Sequence, residues 1–280
     1  MNAPMTTEAL PAGPDEPARP AAATRAKRIA WRLGTFLLPW VALILLWWAL
    51  PYSGLVKSAL VPSPAAVGAK FVHLMIEDSL WVDILTSTRR VLIGLVLGIV
   101  AAVPFAFLLG WYPPARRIVD PLVNFFRSLP PIALIPLIIV YFGIDELAKV
   151  VTLFYASFFA SVIVMYEGIV QTNPVFIRVA RTLGATDIQL FWRVIVPLSV
   201  PHVLTALRVA LGVSWATLVA AELVAAQRGL GAVIQNASNY FQISTIYVGI
   251  ICIGAVAVLM DALVRVVAKR AVSWQDRMTS

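Results

Sequence analysis

Six apolar runs, each close to the length that crosses a lipid bilayer, leave this chain few folds to choose from. They cover residues 33–50, 91–111, 121–142, 147–168, 202–224 and 245–268. About 20 apolar residues wound as an α-helix at ~1.5 Å per residue span ~30 Å of hydrocarbon. Inside lipid every backbone N–H and C=O has to find a partner, so only helices and closed barrels can span it. The runs lack the alternation of barrel strands. The expected fold is an all-α integral membrane protein with about six transmembrane helices. Composition agrees, since 60% of the residues are hydrophobic and 13% charged, against roughly a quarter charged in soluble domains. A net charge of +8 would suggest nucleic acid in a soluble chain. Here the basic residues gather at the ends of the runs, so lipid is the expected partner and nucleic acid is not.

Residues 1–24 hold Pro4, Pro11, Pro14, Pro17 and Pro20 among alanines and lack any apolar periodicity, which predicts a disordered tail. The membrane domain then covers residues 25–280. Arg25, Lys27, Arg28 and Arg32 precede the first run as in a signal peptide, but no convincing small-residue cleavage site follows, so the first helix is expected to be retained. Fourteen Lys and Arg residues fall on the side of the amino terminus, and five (Lys57, Lys70, Arg89, Arg90 and Arg228) on the other. By the positive-inside rule both termini are expected in the cytoplasm, with Arg89 and Arg90 as a local exception at the outer end of the second span. The single Cys252 lies in an apolar run and can form no internal disulfide.

The cytoplasmic connection 169–201 is long and punctuated for two short helices. Asn173 and Pro174 read as an N-cap with proline at the first helical position, and Gly184 as a stop, giving a helix over about 174–183. Thr186 and Gln189 have capping-box spacing, and Pro197 is expected to end a second helix over about 187–196. Gly184, Ala185 and Thr186 thus form a small-residue elbow, where another protein's surface could approach the backbone closely.

The same stretch carries a motif: Arg178-Val179-Ala180-Arg181-Thr182-Leu183-Gly184, nine residues, then Val194-Ile195-Val196-Pro197. It resembles the signature loop of ATP-binding-cassette importer permeases, which reads E-A-A, three residues, G, nine residues, I-x-L-P. Arg178 replaces the glutamate, and Val179, Val194 and Val196 are conservative departures. The resemblance runs from about Leu60 to Trp274 and takes in Asp120-Pro121, Arg127-Ser128-Leu129-Pro130-Pro131, Tyr141-Phe142-Gly143-Ile144, Trp215 to Leu223, and Arg228-Gly229-Leu230-Gly231. The pattern looks most like the taurine and aliphatic sulfonate branch, whose relatives also carry nitrate, bicarbonate or related small anions. What this resemblance implies is a type I importer permease fold in the bacterial inner membrane. It implies a homodimer with a second permease copy, two ATPase subunits that bind ATP and Mg, and a soluble binding protein that delivers the cargo. The loop would be a coupling helix, with Arg181, Gly184, Ala185, Thr186 and Asp187 touching the ATPase.

Other polar residues in the spans admit two readings each. Glu222 either pairs within the bundle or, with Ser214, Trp215 and Thr217, lines a translocation pathway, since polar groups in a span face protein or a cavity. Trp215 could equally pack between helices, and Ser214 is expected to bond a helix carbonyl. Arg127, near the start of the third span, is expected to snorkel to the interface, and Asp261 and Arg265 to pair at i,i+4. His73 and His202 have no ligand partners at metal spacing, so no metal is expected. Gly229 and Gly231 lack the strand and the lysine of a nucleotide loop, and nothing groups a nucleophile with a base. The chain is therefore expected to be no enzyme and to bind no cofactor. The alternative is a carrier driven by an ion gradient, using Glu167, Glu222 and Asp261; a membrane-bound enzyme is a third class.

Overall fold

Along the second run, small residues recur every fourth position: Gly94, Gly98, Ala102, Ala106 and Gly110. That spacing draws one face of a helix into a stripe against which a neighbour can lie backbone to backbone. A computed structural model of the chain describes residues 22–53 and 60–272. In it the stripe belongs to α3, Leu80–Trp111, and the neighbour is α6, Glu146–Val170. A Cβ built on Gly94 would fall 2.3 Å from Leu153 Cβ, one on Gly98 2.0 Å from Ser157 Oγ, and one on Gly110 2.5 Å from Ile169 Cγ2. Equal steps along both helices keep the pairs in register, so α3 and α6 run parallel. The facing α6 positions Lys149, Leu153, Ser157, Ser161, Met165 and Ile169 also repeat every four residues, and all are buried. Ser157 Oγ donates to the Gly94 carbonyl at 3.0 Å, a bond only this approach permits.

The chain divides into two units, Met1–Ser63 and Pro64–Ser280. The first holds α1, Ala22–Ala49, followed by a 3-10 turn at Leu50–Tyr52. Trp47 Nε1 donates to the Pro62 carbonyl at 3.1 Å. Leu37–Ala49 is an apolar stretch of α1. The tail expected over 1–24 lies, as far as residue 21, outside the described residues.

The second unit contains α2, Pro64–Ile76, then α3, α4, Pro113–Ser128, and α5, Pro131–Phe142. After α6 come α7, Pro174–Thr182, and α8, Asp187–Leu190. A π turn at Phe191–Ile195 leads into α9, Val196–Ala225, followed by α10, Leu230–Asn239, and α11, Ile243–Ala271. Among the described residues four helical stretches are long and apolar enough to cross alone. They are α3, α6, α11 and the 39 residues Asp187–Ala225; α4 and α5 together are apolar enough as a pair bent by 92°, the geometry of a broken span or a re-entrant loop. Gly168 meets His202 at one end of the bundle, so α9 runs antiparallel to α6.

Three sequence expectations are corrected here. The run 121–142 is no straight span but breaks at Leu129 and Pro130, because Pro130 and Pro131 supply no N–H and disfavour helix before them. Pro197 does not end the second short helix. The π turn before it, with the Val196 N–H bonded to the Phe191 carbonyl, absorbs the missing proline donor, and the helix continues into α9. The second span begins at Leu80, not residue 91, so Arg89 and Arg90 lie within α3 and not at its end.

The stripe makes a direct prediction. Gly98→Val should lower the thermal stability of the purified protein by about 1–3 kcal/mol or prevent folding, because Ser157 Oγ and the Phe158 amide leave the added atoms no room. Gly254→Ala, where nothing lies within 4 Å, should stay within about 0.5 kcal/mol of the parent. Thermal unfolding in detergent compares the two.

Candidate functional site

A guanidinium lies inside the bundle, four residues before the small-residue stripe. Arg90 is buried, and the rod-like α3 places it level with the start of α6 and the end of α9. Its Nη1 donates to Glu222 Oε1 at 2.6 Å and to the Arg228 carbonyl at 2.7 Å. Its Nε donates to Glu146 Oε2 at 2.6 Å, and its Nη2 pairs with Glu146 Oε1. Lys149 Nζ reaches the same Glu146 oxygen at 3.0 Å. A charge withdrawn from water has to be paired and fully hydrogen-bonded to be tolerated, and here two carboxylates from two other helices meet that requirement.

The same group organises the entry to α10. The first amides of a helix lack internal partners, and those of α10 find theirs on α3 and α9. The Gly229 N–H donates to Asp83 Oδ1 at 2.9 Å, the Leu230 N–H to Ser87 Oγ at 2.9 Å, and the Gly231 N–H to Glu222 Oε2 at 2.8 Å. Ser87 Oγ in turn donates to Glu222 at 2.8 Å. Gly229 has φ of 120°, and a Cβ there would sit 2.4 Å from Glu222 Oε1 and 2.8 Å from Arg90 Nη1. At Gly231 a Cβ would lie 2.5 Å from that of Glu222. Sequence reasoning saw the glycine pair and the carboxylate separately. It missed Asp83, Ser87 and Glu146, which only tertiary packing brings together.

At the other end of α3 stands the elbow. Asn173 Oδ1 accepts the Val175 N–H at 2.9 Å and starts α7. The helix closes with Gly184 at φ of 81°, the Gly184 N–H on the Arg181 carbonyl and the Ala185 N–H on the Ala180 carbonyl, both at 3.0 Å. This left-handed stop favours glycine. Thr186 and Gln189 form the reciprocal capping box expected of them and start α8. Phe191 anchors the element to α3, its ring 5.5 Å from that of Phe107 and 5.6 Å from that of Trp111. Beyond the anchor the surface is open. Leu183 is 82% exposed, Ile188 73% and Trp192 64%, and Arg181 pairs with Asp187 at 3.6 Å on the outside. A cavity of about 600 Å³ runs between α3 and α8, walled by Val103, Phe107, Trp111, Asp187, Ile188 and Trp192.

Ser214, Trp215, Thr217 and Glu222 are all buried within the single chain. Ser214 Oγ bonds no helix carbonyl among the described residues, contrary to expectation; it and Trp215 Nε1 are buried without a hydrogen-bond partner among them. Asp261 meets Arg265 at 2.9 Å as expected and also Arg208 of α9 at 3.0 Å. Arg127 does not sit at a span terminus. It belongs to the last turn of α4, beside the break to α5.

The buried network sets a measurable cost. Arg90→Met strips Glu222 of its charged partner inside the bundle and should destabilise the protein by about 3–5 kcal/mol. The double variant Arg90→Met with Glu222→Gln should recover part of that loss, because no unpaired carboxylate then remains while the amide oxygen still accepts the Gly231 N–H. Chemical or thermal unfolding of the two variants in detergent checks the sign of the coupling.

Comparison with known proteins agrees with this architecture. Residues 94–273 match the family described as "Binding-protein-dependent transport system inner membrane component". A probable ABC transporter permease protein of Brucella abortus (strain 2308) is 45% identical over 245 residues, covering 88% of this chain and 97% of the relative. The taurine transport system permease protein TauC of Escherichia coli (strain K12) is 31% identical over 267 residues, covering 90% and 96%. Among solved structures, a chain of the methionine ABC transporter MetNI in inward-facing conformations superposes with a TM-score of 0.56 at 21% identity. That match covers 69% of this chain and 96% of that one, and it carries the fold. The chain belongs to the family of binding-protein-dependent transport system inner membrane components, the permeases of ABC importers, and is a multi-pass protein of the bacterial inner membrane.

Proposed function

We propose that this chain is the membrane-spanning subunit of an ATP-driven importer that moves a small organic anion, a sulfonate such as taurine, by alternating access. The observation that carries the reading is the elbow of α7 and α8, a rigidly capped element that leaves Leu183, Ile188 and Trp192 uncovered while Phe191 ties it to α3. Exposed apolar side chains around an ion pair suit a protein partner and serve no purpose in water. That partner is one of two ATP-binding-cassette subunits, which bind ATP and Mg, and Arg181, Gly184, Ala185, Thr186 and Asp187 form the contact. A second copy of this chain and a soluble substrate-binding protein complete the assembly. The sulfonate assignment rests on the E. coli taurine permease, with which this chain aligns along almost its whole length.

Orientation follows the charges. Arg116, Arg117, Arg178, Arg181 and Arg193 cluster at the elbow end, whereas Arg90 and Lys149 at the opposite end are consumed by Glu146 and Glu222. Pairing of Arg90 reduces the local exception to the positive-inside rule to Arg89, and the remaining count supports a cytoplasmic elbow with both termini inside. Closure of the ATPases on nucleotide would pull the elbow, and the differential affinity of nucleotide for two arrangements supplies the work. Ser214, Trp215 and Thr217 then belong to the moving interface of α9. Glu222, with both oxygens engaged, positions α10. The ion-driven carrier reading loses support, because Glu222 and Asp261 are each held by arginines.

Gly184 separates backbone from surface in the test. Asparagine tolerates a left-handed φ better than other side chains, and open space surrounds the position within this chain. Gly184→Asn should therefore leave the protein folded yet reduce ATP-dependent taurine uptake into proteoliposomes holding the complete transporter, with ATP hydrolysis no longer tracking uptake. Undiminished coupling, or uptake without the ATPase, would refute the assignment.

A further inference from the structure

The bent helix pair α4 and α5 carries an unpaired charge beside its break. Phe126, next to Arg127, is fixed by two residues of α6: its carbonyl accepts from the Tyr155 hydroxyl, and its ring stacks on Phe159 at 5.8 Å and 26°. Tyr155 lies nine residues into the 25-residue α6 and Phe159 thirteen, about 14 and 20 Å along a helix of about 37 Å. Further down the same antiparallel course, Arg116 of α4 lies over the Tyr166 ring at 5.0 Å, near the far end of α6. Arg127 therefore stands near mid-depth of the membrane domain, beside the 92° break, and not at the interface to which a long basic chain could snorkel.

Arg127 is exposed on the single chain and forms no ion pair or side-chain hydrogen bond with any described residue. Two other arginines within the long helices are answered by carboxylates: Arg90 by Glu146 and Glu222, Arg208 by Asp261. Asn124 and Ser128, also exposed, accompany it on the turn before the break, their side chains donating to the carbonyls of Asp120 and Asn124. An unpaired guanidinium at mid-membrane depth is costly against lipid and marks a water-filled path or a polar partner. Broken helices at that depth are where membrane transporters build ligand sites. The Tyr155 bond to the carbonyl of Phe126 shows that this break is built into the bundle.

The geometry points to Arg127 as the anion-selecting residue of the translocation path, its guanidinium fork meeting the oxygens of a small oxyanion in passage. This deepens the importer reading and rests on it. A planar fork presents paired N–H donors matched to an oxyanion. Because the contact is to cargo and not to the elbow, its loss should act on transport and leave the response to nucleotide intact.

The test uses the complete transporter in proteoliposomes, with labelled taurine and labelled nitrate as separate probes. Arg127→Gln should lower uptake of the transported probe by about tenfold or more, with ATP hydrolysis still stimulated by the binding protein; Arg127→Lys should retain an intermediate rate. A Gln variant that transports at the parental rate overturns the proposal alone. So does one in which hydrolysis and uptake fall together, which would mark a structural part. Failure of the parental complex to transport either anion overturns the anion-importer reading itself. A second measurement needs no transport: in a Cys252→Ser background, which removes the only cysteine, Arg127→Cys should react with a sulfonate-bearing methanethiosulfonate. Lack of reaction would place the residue against lipid and overturn the proposal.

Discussion

A guanidinium can be held among apolar helices only if several helices each contribute something to it, and Arg90 gathers such contributions. Glu146 comes from the start of α6, Glu222 from the end of α9, and the Arg228 carbonyl from the chain leading into α10. Leaving any of these charges unpaired would cost more than most packing contacts provide. The relative positions of α3, α6 and α9 at that end are thereby tied to one another. The arrangement depends equally on the glycine and alanine stripe. Without contact at Gly94 and Gly98, α6 could not lie near enough to α3 for Glu146 and Lys149 to share the site. Charge pairing sets the register, and small residues set the distance.

The class of fold was legible because the solvent imposes it. Lipid demands helices of a certain length, and apolar runs of that length can be read directly. Caps were legible for a local reason: Asn173, Gly184, Thr186 and Gln189 act through their own neighbours in sequence, and each does what its type predicts. Proline was harder. At Pro130 and Pro131 it breaks a run that hydropathy alone joins, whereas at Pro197 a π turn accommodates it and the helix continues. Whether a proline stops a helix depends on the geometry before it, and before Pro197 that is the π turn on which Phe191 packs against Phe107 and Trp111.

The buried network was legible only as puzzles. Arg89 and Arg90 looked misplaced against the charge rule, and Glu222 looked expensive within a span. Arg90 and Glu222 are the two halves of one pair, but they lie more than a hundred residues apart, and no local pattern connects them. The unpartnered Ser214 and Trp215 show the opposite failure. A hydroxyl in a helix commonly bonds the carbonyl one turn back, as Ser157, Ser161 and Ser199 do, so the absence of that bond could not be foreseen from the residue type.

These features divide the bundle into committed and uncommitted parts. The facing surfaces of α3, α6 and α9 are fixed by close packing and by the ion network, and α10 is pinned through its first amides. Along α4, by contrast, Val123 is the one buried residue, and its exposed apolar side chains Ile118, Leu122 and Phe125 share the helix with Arg116, Asn124 and Arg127. A machine that alternates between two arrangements needs both kinds of element, a frame whose contacts persist and surfaces whose partners change. On the proposed function the elbow and the bent span are those surfaces: one meets the ATPase, the other meets cargo. A separation of roughly one membrane thickness between the ion network and the elbow, bridged by the single rod of α3, would let force applied at one end reach a frame anchored at the other.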